Sequence, residues 1–120
     1  DHVWFDKWAK YESMAKAAVE ILPEWCEARA LQTITSELQN DAAFFVSSSR
    51  PIRDIESFVT PRDGVTTYAN RGLAGIDGNI STAMGIATFH EETVAVVGDL
   101  ASLLRKCRIV SQTPKRFRQY

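Results

Sequence analysis

A glycine-rich stretch between two apolar segments constrains the fold of this chain more than any other feature. Three glycines, at positions 72, 75 and 78, lead into a segment of small residues typical of a helix. Beyond it, the apolar run 93–97 ends directly in Gly98-Asp99. Glycine lets a backbone approach a ligand closely, and a helix start offers free N–H groups to an anion. The pattern predicts a phosphate and metal site at the carboxyl edge of a parallel sheet.

Three short apolar runs have the length of buried strands: residues 42–46, 65–69 and 93–97. Each is largely continuous rather than alternating, which is typical of parallel strands covered on both faces. A helix over about residues 78–89 precedes the last strand. This order predicts an α/β fold, with a parallel sheet and helices on both faces. Residues 47–51 are expected to form a loop, because a proline at position 51 disfavours helix at the preceding residue.

The first 40 residues predict two helices. Trp4, Trp8 and Tyr11 begin a stripe at helical spacing that Pro23 ends, and residues 24–39 follow as a second helix. An aromatic stripe of this kind favours packing in a core over a ligand-binding role. The two helices are therefore expected to cover the sheet or to lead in from a further domain.

Composition limits the classes of protein to which the chain can belong. At 120 residues, with 45% apolar and 24% charged residues, it is typical of one globular domain. No segment approaches the ~20 apolar residues of a membrane span, and the first residues lack the pattern of a signal peptide. Cys26 and Cys107 form no CxxC pair and are expected to be reduced thiols. We therefore expect a cytoplasmic protein with no membrane partner.

Charge is distributed unevenly along the chain. The first 99 residues carry all 15 Asp and Glu against eight Lys or Arg, whereas residues 100–120 carry six Lys or Arg and no acid. A basic tail can bind nucleic acid. This one shows no periodicity that would predict a recognition element, so the sequence does not favour a nucleic-acid partner.

Two stretches together resemble a known enzyme family. Residues 70–87 and the following Gly98-Asp99, with the segment Ser49-Arg50-Pro51-Ile52-Arg53-Asp54 upstream, closely resemble the 2-succinyl-5-enolpyruvyl-6-hydroxy-3-cyclohexene-1-carboxylate synthase (MenD) family. The resemblance covers about residues 1–103 and stops at Leu104-Arg105. We therefore expect a partial diphosphate-binding domain over residues 1–103. Residues 104–120 then form a basic tail that arose by truncation, a shifted reading frame or divergence.

The resemblance implies a fold and a reaction. The fold would be an incomplete thiamine-diphosphate-binding domain of the diphosphate type. The family is a homo-oligomeric transferase of menaquinone synthesis that decarboxylates 2-oxoglutarate and adds the product to isochorismate. It uses thiamine diphosphate and Mg²⁺, with Mn²⁺ as an alternative metal. Its catalytic Glu belongs to a separate domain, so no catalytic residue is expected here and the isolated chain is expected to be inactive.

The resemblance also assigns roles to the residues at the cofactor. Asp99 corresponds to the first metal ligand, with Gly98 and Leu100 beside it at the cofactor. From spacing alone, an Asp at this position serves equally well as a helix N-cap. Ile76 corresponds to the aliphatic wedge between the two cofactor rings, and ordinary packing under the helix is the alternative.

Arg53 and Arg71 correspond to substrate-binding arginines, with Ser49 as a nearby hydroxyl donor. An arginine can hold a carboxylate through two hydrogen bonds, and both substrates are carboxylates. Without the resemblance, a salt bridge from Arg53 to Asp54 or Glu56 would be favoured instead.

Two other classes of function remain open from the residues alone. The same glycine turn would serve a non-catalytic module that binds phosphate or a nucleotide. The basic tail would serve a nucleic-acid adaptor. A further domain encoded upstream would favour the enzyme, and salt-sensitive retention on DNA would favour the adaptor.

Overall fold

The computed structural model describes residues 2–23, 25–73, 75–103 and 117–119. The elements in chain order are α1 (His2–Glu20), α2 (Glu27–Ser36), β1 (Ala42–Val46), α3 (Arg50–Phe58), β2 (Val65–Tyr68), α4 (Asn79–Ile86), β3 (Thr93–Val96), α5 (Asp99–Leu103) and β4 (Phe117–Gln119). Among the helices so described, none is long and apolar enough to cross a membrane.

The strands form one parallel sheet in the order β2-β1-β3-β4. Strand β1 lies between its two neighbours, with Ala43 level with Thr66 on one side and with Thr93 on the other. The three predicted strands and their parallel pairing are confirmed, although β2 and β3 each end one residue earlier than predicted.

Helices cover both faces of the sheet, as predicted. Phe44 faces the side of α2 and α3, where Ile34 and Ile55 pack against its cluster. Phe45 points to the opposite face and packs with Ala83 of α4. Both phenylalanines are buried. Because successive strand residues alternate between faces, this pair shows why β1 is apolar throughout.

The loop predicted over residues 47–51 is wrong from Arg50 onward, because α3 begins there. Pro51 lies in the first turn of α3, where its missing N–H group has no partner to lose. The rule that disfavours helix before proline is thus overridden at a helix start. Ser49 takes a strained backbone at φ 80° as the chain enters α3.

Arg50, the first residue of α3, forms ion pairs within this helix and with α2. The Nε of Arg50 donates to both carboxylate oxygens of Asp54, at 2.8 and 2.7 Å, and its terminal nitrogen donates to Glu27 of α2 at 2.8 Å. The hydrogen bond and charge of Asp54, aided by the charge of Glu27, raise the pKa of Arg50 above its ordinary value. Arg50 therefore stays charged at any pH at which the fold is studied.

The aromatic stripe of α1 departs from the prediction that it packs in a core. Trp4 is 65% exposed and Trp8 57%, and Tyr11 is also exposed. These rings contact one another, with centroids 5.8 Å apart for Trp4 and Trp8. Val19, near the end of the helix, is the buried residue of α1. The predicted helix is confirmed, but its aromatic stripe is not packed in a core within the described part of the chain.

Other bounds differ from the predicted ones or lie outside the described residues. Helix α2 is shorter than the predicted segment 24–39, and α4 is shorter than 78–89. Most of the predicted tail, including Cys107, lies outside the described residues. Within it, residues 117–119 form β4, a strand that was not predicted from the sequence.

Candidate functional site

The strand order predicts a crevice at the carboxyl ends of β1 and β3. From β1 the chain continues to β2 on one side, whereas β3 lies on the other side. Such a reversal of direction leaves a gap outside the strand ends, where α/β proteins bind ligands. The two strands stay paired up to this point, because the N–H of Ser47 donates to the carbonyl of Val96 at 2.9 Å.

The segments that carry the predicted site residues all leave the sheet at this edge. Ser49 follows β1, Arg71 follows β2, and Gly98-Asp99 follows β3. The side chains of Ser49, Arg71 and Asp99 are exposed. Ser49 precedes α3 without a side-chain hydrogen bond to the helix start, so its hydroxyl is not used for capping. The parallel sheet thus brings the sequence-predicted residues to one edge.

The arginines of the site differ in how they are paired. Arg50 holds Asp54, so the salt bridge considered for Arg53 with that carboxylate does not form. Within the described residues, the side chains of Arg53 and Arg71 have no ion-pair or hydrogen-bond partner. Both guanidinium groups are therefore free of charged neighbours that would compete with an anionic ligand.

Asp99 opens α5 with its side chain exposed. The carbonyl of Gly98 accepts the first helical bond, from Ser102 at 3.0 Å, and the Asp99 carboxylate makes no hydrogen bond to any described residue. The alternative role as a helix N-cap is therefore not realised. No group of three or more His, Cys, Asp or Glu side chains suited to a metal occurs in the described ranges. A single carboxylate fits Mg²⁺ only where phosphate and water supply the other oxygens.

One glycine in the run is required by the local backbone: Gly78 has φ +82°. A Cβ added at Gly75 would lie 2.6 Å from a carboxylate oxygen of Asp77, an exposed side chain that can move away. At Gly72 and Gly98 an added Cβ would meet nothing within 4 Å. The fold does not require glycine at those two positions, which leave open space beside the backbone.

The apolar residues predicted at the cofactor are both on the surface. Ile76 is 53% exposed and Leu100 is also exposed. The alternative for Ile76 was packing beneath the helix. More than half of its surface is exposed instead, so such packing accounts for only part of the side chain.

Polar residues that were not predicted from the sequence support this edge. Asn79 is buried at the start of α4 and donates to the carbonyls of Gly75 and Ile76. Its position directly after Gly78 was the available signal, since an Asn there can bond back to the preceding turn.

Comparisons with known proteins agree with the resemblance. No protein-family model matches the chain. The 2-succinyl-5-enolpyruvyl-6-hydroxy-3-cyclohexene-1-carboxylate synthase of Synechococcus sp. (strain JA-3-3Ab) is 40% identical over 101 residues, which cover 80% of this chain and 17% of that protein. The synthase of Bacillus cytotoxicus is 40% identical over 102 residues, with 82% and 18% covered. That of Staphylococcus haemolyticus is 38% identical over 100 residues, with the same shares.

The chain belongs to the MenD family. It spans less than a fifth of the length of these curated MenD relatives. Membership therefore rests on a segment of about a hundred residues, and this segment contains the glycine run and the strand ends described above.

Proposed function

We propose that this chain acts as the diphosphate-binding part of a MenD transferase in menaquinone synthesis. The reaction decarboxylates 2-oxoglutarate and adds the product to isochorismate, with thiamine diphosphate and Mg²⁺ or Mn²⁺. One observation supports the proposal: Arg71 and Asp99 follow parallel strands at one edge of the sheet, and Arg53 lies in the helix that follows β1, in a chain 40% identical over 101 residues to a MenD enzyme. The protein is proposed to act in the cytoplasm as part of a homo-oligomer.

The cofactor end of the site would be held by the segment after β3. Asp99 offers an exposed carboxylate to the metal, and the open space at Gly98 lets a diphosphate approach the backbone. Leu100 would contact the cofactor through its exposed side chain. Bound thiamine diphosphate supplies a thiazolium that accepts the electron pair released by decarboxylation. The remaining metal ligands would be phosphate oxygens, water and groups beyond those described here.

The substrate end would be held by the segments after β1 and β2. Arg53 and Arg71 would each bind a substrate carboxylate, and the uncommitted hydroxyl of Ser49 would donate to the same ligand. Ile76, half exposed in the glycine run, would contact the cofactor as an aliphatic wedge. These residues bind and orient; the proton transfers need groups from elsewhere in the complete enzyme.

A chimera tests the proposal. The hundred-residue segment of the Bacillus cytotoxicus enzyme that matches this chain is replaced by the corresponding residues of this chain. Turnover of 2-oxoglutarate and isochorismate is expected to persist. Asp99→Asn should weaken Mg²⁺ and cofactor binding together, because the metal joins the protein to the diphosphate. A chimera that folds and binds the cofactor but gives no turnover would overturn the assignment.

The arginine variants separate substrate binding from cofactor binding. In the chimera, Arg53→Ala or Arg71→Ala should raise the KM for the acidic substrates roughly ten- to one-hundred-fold, as expected for a lost charge-assisted contact. Cofactor affinity should stay nearly unchanged. Lys7→Ala, which removes an exposed cation of α1, is the matched control and should change neither.

Calorimetry on the 120-residue chain distinguishes the enzyme part from a self-sufficient module. We expect thiamine diphosphate with Mg²⁺ to bind weakly or not at all, because the site needs groups from a second domain. Tight, metal-dependent binding would favour a non-catalytic phosphate-binding module instead.

A further inference from the structure

A hydrogen-bond network connects the loops of the candidate site to one another. The hydroxyl of Ser48, after β1, donates to the carbonyl of Asn70, after β2, at 3.0 Å. The side-chain amide of Asn70 donates to Asn79 Oδ1 at 3.3 Å and to Thr82 Oγ1 at 3.2 Å. Both acceptors belong to α4, so the network joins two strand-end loops to the helix that follows the glycine run.

Asn79 is the centre of this network. Its side chain is only 4% exposed. Its amide nitrogen donates to the carbonyl of Ile76 at 3.2 Å and to that of Gly75 at 3.4 Å, while its oxygen accepts from Asn70. Each polar atom of the side chain therefore has a partner, and two of the partners are backbone carbonyls of the segment that displays Ile76.

Besides Asn79, the segment is supported at its two ends, where the N–H of Gly75 donates to Leu73 and the carbonyl of Gly78 accepts from Thr82. Ile76, Asp77 and Gly78 are exposed, and a Cβ at Gly78 would touch nothing within 4 Å. Glycine-rich backbone is costly to order, because glycine loses more conformational freedom on folding than other residues. A buried side chain that binds two successive carbonyls offsets part of that loss.

We propose that Asn79 is a positioning residue that holds the Gly75-Ile76 backbone in its binding conformation before any ligand arrives. The anchoring follows from the contacts above. The benefit for Ile76 as a cofactor wedge rests on the proposed function. Through Asn70 and Ser48, the same network keeps the loop that carries Arg71 in register with the loop after β1.

The proposal is testable because helix propensity predicts no loss of order when Asn79 is replaced, whereas a positioning role predicts that residues 75–77 become less ordered. Asn79 is the first residue of α4, where Ala is a better helix former and Asp interacts favourably with the helix dipole. If Asn79 served the helix alone, Asn79→Ala and Asn79→Asp would leave the region equally ordered or more so. Asn79→Asp keeps the acceptor oxygen for Asn70 and loses only the donors to Gly75 and Ile76.

Backbone ¹⁵N relaxation on the ligand-free 120-residue chain decides between a positioning role for Asn79 and a role in the helix alone. In both variants the order parameters of Gly75, Ile76 and Asp77 are expected to fall below about 0.6, while those of β1 stay near about 0.85. Thr88→Ala is the matched control, since it removes a similar side-chain bond, to Gly85 at 2.7 Å, near the other end of α4. Unchanged order at residues 75–77, or an equal loss across the sheet, would overturn the proposal.

The chimera described above gives the functional readout. Asn79→Ala should lower kcat about three- to tenfold and leave Mg²⁺ affinity unchanged, because the wedge moves while the metal ligand does not. An unchanged kcat would refute the positioning role even if the segment loosens. A chimera without any turnover would instead count against the proposed function, and the relaxation experiment would still decide the anchoring.

Discussion

Strand β1 and helix α1 are both rich in apolar residues, yet the fold treats them in opposite ways. Phe45 in β1 is fully buried between α4 and its neighbours, whereas Trp8 in α1 is 57% exposed. The strand has partners on both sides and both faces within the described chain. Helix α1 has a stripe of the right spacing and meets the rest of the protein mainly near Val19. Apolar periodicity therefore predicts an element, but it does not say whether a partner for that element is present.

The largest loss of stability should come from shortening a buried side chain of β1. Phe45→Ala removes a side chain with no exposed surface, and we expect it to lower the free energy of unfolding by about 3–5 kcal/mol. Chemical denaturation followed by far-UV circular dichroism measures the loss. The matched control is Phe89→Ala, because Phe89 is 89% exposed and should change stability by less than about 0.5 kcal/mol. Equal effects of the two variants would contradict the core placed here.

A smaller effect should follow from the ion pairs of Arg50, which joins Asp54 within α3 and Glu27 of α2. Arg50→Gln leaves the buried carboxylate of Asp54 without its cation, so the melting temperature should fall measurably. Arg53→Gln removes a charge of the same kind from the same helix and should change stability by less than about 0.5 kcal/mol. The loss at Arg50 should be the same from pH 6 to 8, since its raised pKa keeps it charged throughout. A larger loss for Arg53→Gln would show that Arg53 has a structural partner.

A gain is expected where the sheet buries a polar atom. Thr93 is fully buried in β3, and its hydroxyl has no hydrogen-bond partner among the described residues. Thr93→Val replaces the hydroxyl by a methyl group of similar size and should raise the free energy of unfolding by about 1 kcal/mol. Thr35→Val is the opposite case, since Thr35 Oγ1 donates to Leu31 at 2.8 Å, and it should destabilise. If both variants lower the free energy of unfolding, the hydroxyl of Thr93 has a hydrogen-bond partner. Further substitutions, each followed by denaturation, would then locate that partner.

The smallest effect should come from α1. Trp8→Ala removes a large side chain, but because most of its surface is already in water we expect a change below about 0.5 kcal/mol. Denaturation monitored by far-UV circular dichroism avoids the loss of the indole signal. If Trp8→Ala lowered the free energy of unfolding by more than about 2 kcal/mol, the aromatic stripe would be packed against part of the protein. Helix α1 would then no longer differ from β1 in this respect.

The sheet could be predicted from the sequence because its strands are encoded locally. Continuous apolar runs at 42–46, 65–69 and 93–97 need two covered faces, and that requirement selects a parallel α/β architecture. The common edge for Ser49, Arg71 and Asp99 then follows from topology alone. The chemical roles of these residues did not follow from spacing; they came from the resemblance and stay predictions.

What could not be predicted depends on competition between local rules or on distant contacts. At Arg50 the rule for the residue before proline conflicted with the tolerance of proline in a first helical turn, and the second prevailed. His90 is half-buried, and its Nε2 lies 2.9 Å from the hydroxyl of Tyr68, a contact between residues 22 positions apart. No local pattern encodes such a pair.

The parallel pairing of β1 also sets the order in which the chain can assemble. Ala43 pairs with Thr93, fifty residues later, whereas α1 needs only contacts within itself. At roughly 5–20 residues per second, a ribosome finishes β1 several seconds before it finishes β3. Long-range strand pairing is slow compared with helix formation even after that. During this interval Phe44 and Phe45 are not yet covered by β3, so an apolar inner strand of the finished sheet is exposed to aggregation while the protein is being made.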